Sequence, residues 1–319
     1  MTTIKWGIIG CGNVTEVKSG PAFNLVPGSE LVAVMRRDAE KAADYARRHG
    51  VKKWYNDARA LLNDPEINAI YVATPPASHQ QYALAALERG LPVYLEKPMA
   101  LHAESASVIA SVAESKGIKF AMAHYRRRLP SFSFIKSLLD QQAIGQVRMV
   151  QLQLWKQPTT AQEHNWRLQT ALSGGGHFHD LAPHQLDILL YYFGMPSRYF
   201  GTGTSISGNV PDIVSGQMVL PGNILFNGCW NFASPANEVK DECIITGTTG
   251  SIHFSFFSNI EKVEVHNQDG AQVHQFQTPK HIQQPMIEAV VKYFQGTAEN
   301  PCSAREGYKS MLLLDAFVK

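Results

Sequence analysis

Little in this 319-residue chain is in excess, and each shortage closes off a class of function. The four cysteines, Cys11, Cys229, Cys243 and Cys302, are scattered, with no two close together. Thiols so placed make neither a zinc ribbon nor a redox dithiol, and they suit a reducing cytoplasm. No apolar run approaches the roughly 18 residues that suggest a membrane span. Charge of one sign is also missing: the formal net charge is +2, which gives nucleic acid or another polyanion nothing to grip. Repeats, low-complexity tracts and long linkers are absent. Met1-Thr2-Thr3 leads directly into the strand-like residues 4–9, so no secretory leader is expected. What remains is a globular chain with 45% hydrophobic residues, long enough for two domains.

The first 125 residues alternate strand and helix signals. Apolar runs at 4–9, 30–35, 69–73, 92–95 and 119–123 read as strands, with helical patterns at 38–49, 78–89 and 104–116 between them. Strands apolar on both faces belong in a parallel sheet covered by helices on either side. Residues 1–125 are therefore expected to form a doubly wound, Rossmann-type domain. Its first strand runs into Gly10-Cys11-Gly12-Asn13-Val14, where glycines let backbone amides approach a pyrophosphate at a helix N-terminus. Thr15 holds the place of the usual third glycine.

The second strand ends Val34-Met35-Arg36-Arg37-Asp38. A carboxylate at that point grips the ribose of NAD, whereas arginine accommodates the 2′-phosphate of NADP. Asp38 falls late and suits the N-cap of the next helix. Arg36 and Arg37 thus favour NADP(H), with NAD(H) also admissible; two solvated arginines on a loop are the plainer alternative. Two further strand ends, Thr74-Pro75-Pro76 and Glu96-Lys97-Pro98, lie where open α/β sheets bind ligands. A lysine there can move a proton or polarise a carbonyl, or simply stay a surface charge.

Residues 126–319 have a different texture, expected to be an α+β domain that binds substrate and oligomerises. A helix at 130–142 precedes an alternating strand at 147–155, with Val150, Leu152 and Leu154 on one side. Then comes Gly174-Gly175-Gly176, followed by a helical pattern that sets Asp180, His184 and Asp187 on one face and Leu181, Ile188, Leu189 and Tyr192 on another. Glycines without Cβ atoms let the backbone there approach something bulky and flat. Strand signals follow at 199–206, 213–220, 224–232, 242–246, 251–257, 262–267 and 272–277, and helical ones at 284–294 and 305–318. Tight turns between the strands predict a large, mostly antiparallel sheet, open on one face. Trp230, Phe232, Phe254 and Phe256 are assigned to that open face, which predicts a homodimer or homotetramer. The last helix is expected to pack back on the first domain.

With Glu96-Lys97-Pro98 on a dinucleotide fold and Gly174 to Asp187 beyond it, the chain resembles the Gfo/Idh/MocA oxidoreductases over essentially its whole length. The resemblance implies NAD(P)-dependent hydride transfer on a sugar, polyol or keto-sugar derivative. It implies Lys97 and Glu96 beside the nicotinamide, His184 as proton donor or acceptor, and Asp180 assisting it. Thr74, Pro75 and His79 match positions that line the cofactor cleft, and Trp166-Arg167 matches a pair found before the glycines. Tyr125, Trp155, Trp166, Arg167 and His179 suit a polyhydroxylated ligand by stacking and hydrogen bonding. His124-Tyr125 departs from the asparagine many relatives carry, and His177 and His179 are additional imidazoles. No metal is expected, since hydride transfer with these groups needs none. Two other readings stay open: a glycosidase that uses transient oxidation, and a non-catalytic dinucleotide sensor.

Overall fold

The structure, a computed structural model, describes residues 2–158, 166–205 and 210–319. The strand expected at 199–206 ends on Ile206, which lies outside the described residues. The chain divides into two compact units, one of Met1–Tyr125 with Pro279–Tyr308, the other of Arg126–Thr278 with Lys309–Lys319.

The first unit is built on β1 (Ile4–Ile9), β2 (Ser29–Met35), β3 (Lys53–Tyr55), β4 (Ala69–Val72), β5 (Val93–Leu95) and β6 (Phe120–Met122). Their order is β3-β2-β1-β4-β5-β6, with every pairing parallel. This is the doubly wound arrangement in which the strand order reverses between β1 and β4. Helices Ala39–His49, His79–Glu88 and Ala103–Lys116 provide the crossovers. Asp38 caps the first of these, accepting from the Lys41 N–H at 3.1 Å. The strand missing from the periodicity is β3, whose Lys53-Trp54-Tyr55 is short and only partly buried.

Pro279–Tyr308 belongs to this unit, not to a second domain running unbroken from 126 to 319. Its helix Gln284–Phe294 offers Met286, Ile287, Val290, Val291 and Phe294 as an apolar stripe. Trp6 of β1 is fully buried and needs that cover; its ring lies 5.5 Å from Phe294. Lys119 donates to the Tyr293 and Phe294 carbonyls, at 2.9 and 2.8 Å, a cation at the helix's negative end. Beyond the helix, the Asn300 side chain and the Cys302 carbonyl pair with β6 and close the sheet's edge. The last helix, Ala304–Phe317, begins in this unit and ends in the other.

The second unit holds β7 (Val147–Trp155), β8 (Arg198–Thr204), β9 (Ile213–Leu220), β10 (Ile224–Asn231), β11 (Lys240–Gly247), β12 (Gly250–Phe254), β13 (Lys262–Asn267) and β14 (Gly270–Gln275). They order as β14-β13-β12-β11-β7-β10-β9-β8, antiparallel except for the β10–β7 pair. Val150, Leu152 and Leu154 point to the buried face.

The four aromatics assigned to the open face lie instead on the covered one. Trp230, Phe232, Phe254 and Phe256 are all buried within the chain. Trp230 packs edge-on against Phe178, and its indole donates to Gln185 Oε1 at 2.6 Å. Alternation decides the matter, because a shift of one residue exchanges the two faces of a strand. Phe200 and Leu225, at 64% and 57% exposure, stand on the other face.

Candidate active site

In the first unit, Gly10 (φ +99°) occupies the left-handed region, and a Cβ on it would stand 2.7 Å from the Thr74 side chain. The two strand exits can approach this closely only around a glycine. Gly12 differs: a Cβ there would meet nothing within 4 Å. Open space at Gly12 lies beside Asn13 and Val14, which begin the short helix Asn13–Val17 and whose N–H groups have no helical acceptor. These features fit the pyrophosphate of a dinucleotide. Thr15 explains its own departure from glycine, since its hydroxyl donates to the Gly12 carbonyl at 2.8 Å and ties the turn. Arg36 reaches back to the same turn, Nη1 lying 3.4 Å from the Cys11 carbonyl oxygen, while Arg37 is exposed. Asp38 is engaged by Lys41, 2.9 Å from its ammonium.

The β4 and β5 exits are fastened to each other from inside. His79 is wholly buried, with Nδ1 2.8 Å from the Pro98 carbonyl oxygen and Nε2 2.7 Å from that of Thr74. Burial pulls this imidazole's pKa below its ordinary value, and the two carbonyls oppose that pull. Pro75 begins the short turn between Thr74 and His79. Glu96 is only 5% exposed; it accepts from the Tyr71 hydroxyl at 2.6 Å and the Gln283 amide at 2.7 Å. Its other oxygen accepts from the backbone N–H of Lys97 at 3.2 Å. Glu96 therefore ties the backbone at Lys97 to Tyr71 and Gln283. Lys97 itself is half-buried, and Tyr125, at the end of this unit, is buried.

In the second unit, helix Gly176–Phe193 carries the remaining chemistry. From Ala182 to Leu190 every residue is buried, so the expected division into an ionisable face and a core face does not hold there. The bulky, flat group beside the glycines is supplied by the helix itself. A Cβ on Gly175 would collide with the His179 imidazole, while Gly174 and Gly176 take positive φ values of 86° and 68°. Asp180, half-buried, accepts from Arg167 Nε at 2.6 Å, and the Arg167 guanidinium lies 4.7 Å above the Trp166 ring. His177 stands near this pair, 5.6 Å from the Phe232 ring; burial lowers its pKa and Asp180 partly offsets the effect. His184, one turn beyond Asp180, is 6% exposed and meets the Phe257 ring at 5.9 Å and 69°.

Asp187 belongs to a different arrangement, a buried bidentate pair with Arg127. No sequence motif marks Arg127, or Tyr71 and Gln283 around Glu96. Three arginines in a row, Arg126 to Arg128, in a chain with only 18% charged residues, were the available signal. Among the described residues, no three His, Cys, Asp or Glu side chains gather as a metal site. Nor is any helix among them long and apolar enough to cross a membrane.

The comparisons with known proteins bear on both units. A family described as "Oxidoreductase family, NAD-binding Rossmann fold" matches residues 4–124, and "GFO/IDH/MocA C-terminal domain" matches residues 132–253. "Oxidoreductase P35" of Formosa agariphila is 44% identical over 318 residues, 98% of each chain. The trans-1,2-dihydrobenzene-1,2-diol dehydrogenase of Bos taurus is 27% identical over 251 residues, 77% of this chain and 72% of its own. Among solved structures, a levoglucosan dehydrogenase in complex with NADH and levoglucosan has the same fold, with a TM-score of 0.86 at 22% identity over 98% of this chain and 96% of that one. With both domains matched and a relative this similar end to end, the chain is an enzyme of the GFO/IDH/MocA family, an oxidoreductase with an NAD-binding Rossmann fold.

Proposed function

We propose that this oxidoreductase moves a hydride between a nicotinamide dinucleotide and a CH–OH carbon of a sugar, polyol or keto-sugar derivative. The observation that carries the reading is the set on and beside helix Gly176–Phe193: the Trp166 indole with the Arg167 guanidinium over one face, the Arg167–Asp180 pair, and His184 one turn on. A flat apolar ring with fixed hydrogen-bonding groups around it suits a polyhydroxylated ring. Relatives named levoglucosan dehydrogenase and trans-1,2-dihydrobenzene-1,2-diol dehydrogenase support a cyclic diol or sugar as the substrate class.

The dinucleotide, when bound, supplies the hydride carrier. Gly10, Gly12, Asn13 and Val14 hold its phosphates, with Thr74 and Pro75 along the same strand ends. His184 exchanges the proton of the reacting hydroxyl, a task imidazole performs near neutral pH. Lys97, its backbone tied by Glu96, stabilises the oxygen as it gains negative charge. Asp180, oriented by Arg167, accepts hydrogen bonds from neighbouring substrate hydroxyls. His179 and Tyr125, both buried, are further candidates for substrate contact.

NADP(H) is preferred over NAD(H). Arg36 stands beside the glycine turn, and Asp38 is already engaged as a helix cap and by Lys41. A guanidinium offers a 2′-phosphate charge-assisted, bidentate hydrogen bonds. The exposed face of the second unit's sheet, with Phe200 and Leu225 uncovered, is the surface through which subunits pair as a homodimer or homotetramer. All four cysteines are free thiols, which suits a cytoplasmic enzyme. The test is a panel of sugars, inositols and keto-sugars, followed by nicotinamide absorbance with both cofactors. Glycosidic cleavage with no net absorbance change would contradict the reading.

A further inference from the structure

The turn between β12 and β13 is held with unusual force for a surface connection. Asp241 of β11 accepts from three successive backbone N–H groups: Phe256 at 3.1 Å, Phe257 at 2.7 Å and Ser258 at 2.6 Å. It also accepts from the Ser258 hydroxyl at 3.0 Å. From the other side, the buried Arg126 donates Nε and Nη2 to the Phe256 carbonyl, at 3.0 and 2.9 Å. Connections of this kind usually carry mobile backbone, and here the backbone on both sides of one residue is hydrogen-bonded.

That residue is Phe257. Its backbone is fixed by Asp241, and the Arg126 guanidinium lies 4.6 Å from its ring centroid. Phe256 beside it is buried among Phe132 and Phe254, at 5.4 and 5.3 Å, so the turn cannot roll. The Phe257 ring in turn meets the His184 imidazole edge to face. An imidazole against a flat wall loses freedom about its terminal torsion, which otherwise has a broad minimum.

We propose that Phe257 is a positioning residue: clamped by Asp241 and Arg126, it fixes the plane of the His184 ring and so the direction in which His184 exchanges its proton. The proposal rests on the hydride-transfer reading for its kinetic consequence, and on the packing of Phe257 against His184 for its geometry. Small misplacements of a reacting group are costly, so Phe257→Leu should lower kcat by about tenfold with KM within about twofold of the parent. Cofactor affinity should not change, and Phe257→Tyr, which keeps the ring, should restore kcat.

The experiment pairs those kinetics with ¹⁵N NMR of the imidazoles, assigning His184 through His184→Ala. In Phe257→Leu the His184 nitrogen resonances should move as the ring gains freedom and its tautomers redistribute. Should the leucine variant fail to fold, Asp241→Asn keeps the ring, loosens the turn, and is expected to move both readouts in the same directions by less. Unaltered His184 resonances in a folded variant, or a kcat within about twofold of the parent, would overturn the proposal. If the parent turns over no carbohydrate, the hydride-transfer reading fails, and the NMR comparison still decides the role of Phe257.

Discussion

Arg127 grips Asp187 through two parallel hydrogen bonds, Nε to Oδ2 at 2.9 Å and Nη2 to Oδ1 at 2.7 Å, with both side chains buried. The guanidinium also lies 5.0 Å from the Tyr191 ring. Asp187 is three residues beyond His184 on the same helix, so the pair fixes that helix just past the proposed proton carrier.

Breaking such a pair leaves one charge buried alone. Asp187→Ala is expected to lower stability by about 3–5 kcal/mol, measured by urea unfolding. The double variant Arg127→Met with Asp187→Leu should recover most of that loss, because no charge then remains to be desolvated. A single variant as stable as the parent would show that the pair does not hold the helix.

Gly175 is required by its own helix. Gly175→Ala drives a methyl into the His179 ring and should cost about 1–3 kcal/mol, the usual range for overpacking. Adding His179→Ala removes the obstacle, so the double variant should be more stable than the sum of the two single losses. Thermal unfolding of the four proteins measures the coupling, and simple additivity would refute the contact.

Stability in acid should depend on Glu16. A hydrogen bond from Arg48, followed by one from His49, lowers its carboxyl pKa from 4.5 to about 2. The unfolded chain takes up that proton near pH 4.5 and the folded chain does not, so the contribution is complete above pH 4.5 and disappears as pH falls toward 2. The advantage of the parent over Glu16→Gln should shrink across that window. Melting temperatures at a series of pH values test it, and a constant difference would contradict it.

Cofactor choice turns on Arg36. A hydrogen bond to a charged group is worth roughly 1.5–3 kcal/mol, or about ten- to a hundredfold in affinity, and solvent reduces that figure. Arg36→Asp should weaken NADP binding by up to that factor and leave NAD binding equal or stronger. Fluorescence titration of both cofactors decides it, and a parent that binds NAD more tightly would overturn the preference.

How far the sequence disclosed all this depended on the range of the interactions. Strands apolar on both faces, and glycines at the first turn, are local signals, and β1, β7, β9 and β13 fall where their periodicity puts them. Register is not local. Trp230, Phe232, Phe254 and Phe256 show a strongly apolar set without showing which face of the sheet carries them. The return of Pro279–Tyr308 to the first unit depends on Trp6 needing cover, a partnership across most of the chain. For the candidate site, motif marks Lys97, Asp180 and His184 together with Glu96 and Arg167 beside them, while the supports farther along the chain carry no local signal. Tyr71 and Gln283 reach Glu96, and Phe257 reaches His184, only after folding.

Hydride transfer with His184 handling the proton is tested most directly by turnover in three proteins: the parent, His184→Ala and Lys97→Met. Each is assayed with the carbohydrate panel and both nicotinamides. At least one carbohydrate should drive a change in nicotinamide absorbance with the parent. Each variant should be slower by about 10²–10⁴, the usual scale for losing a general acid–base, while still binding cofactor. Variants as fast as the parent, or a parent inert toward every sugar, polyol and keto-sugar, would contradict it.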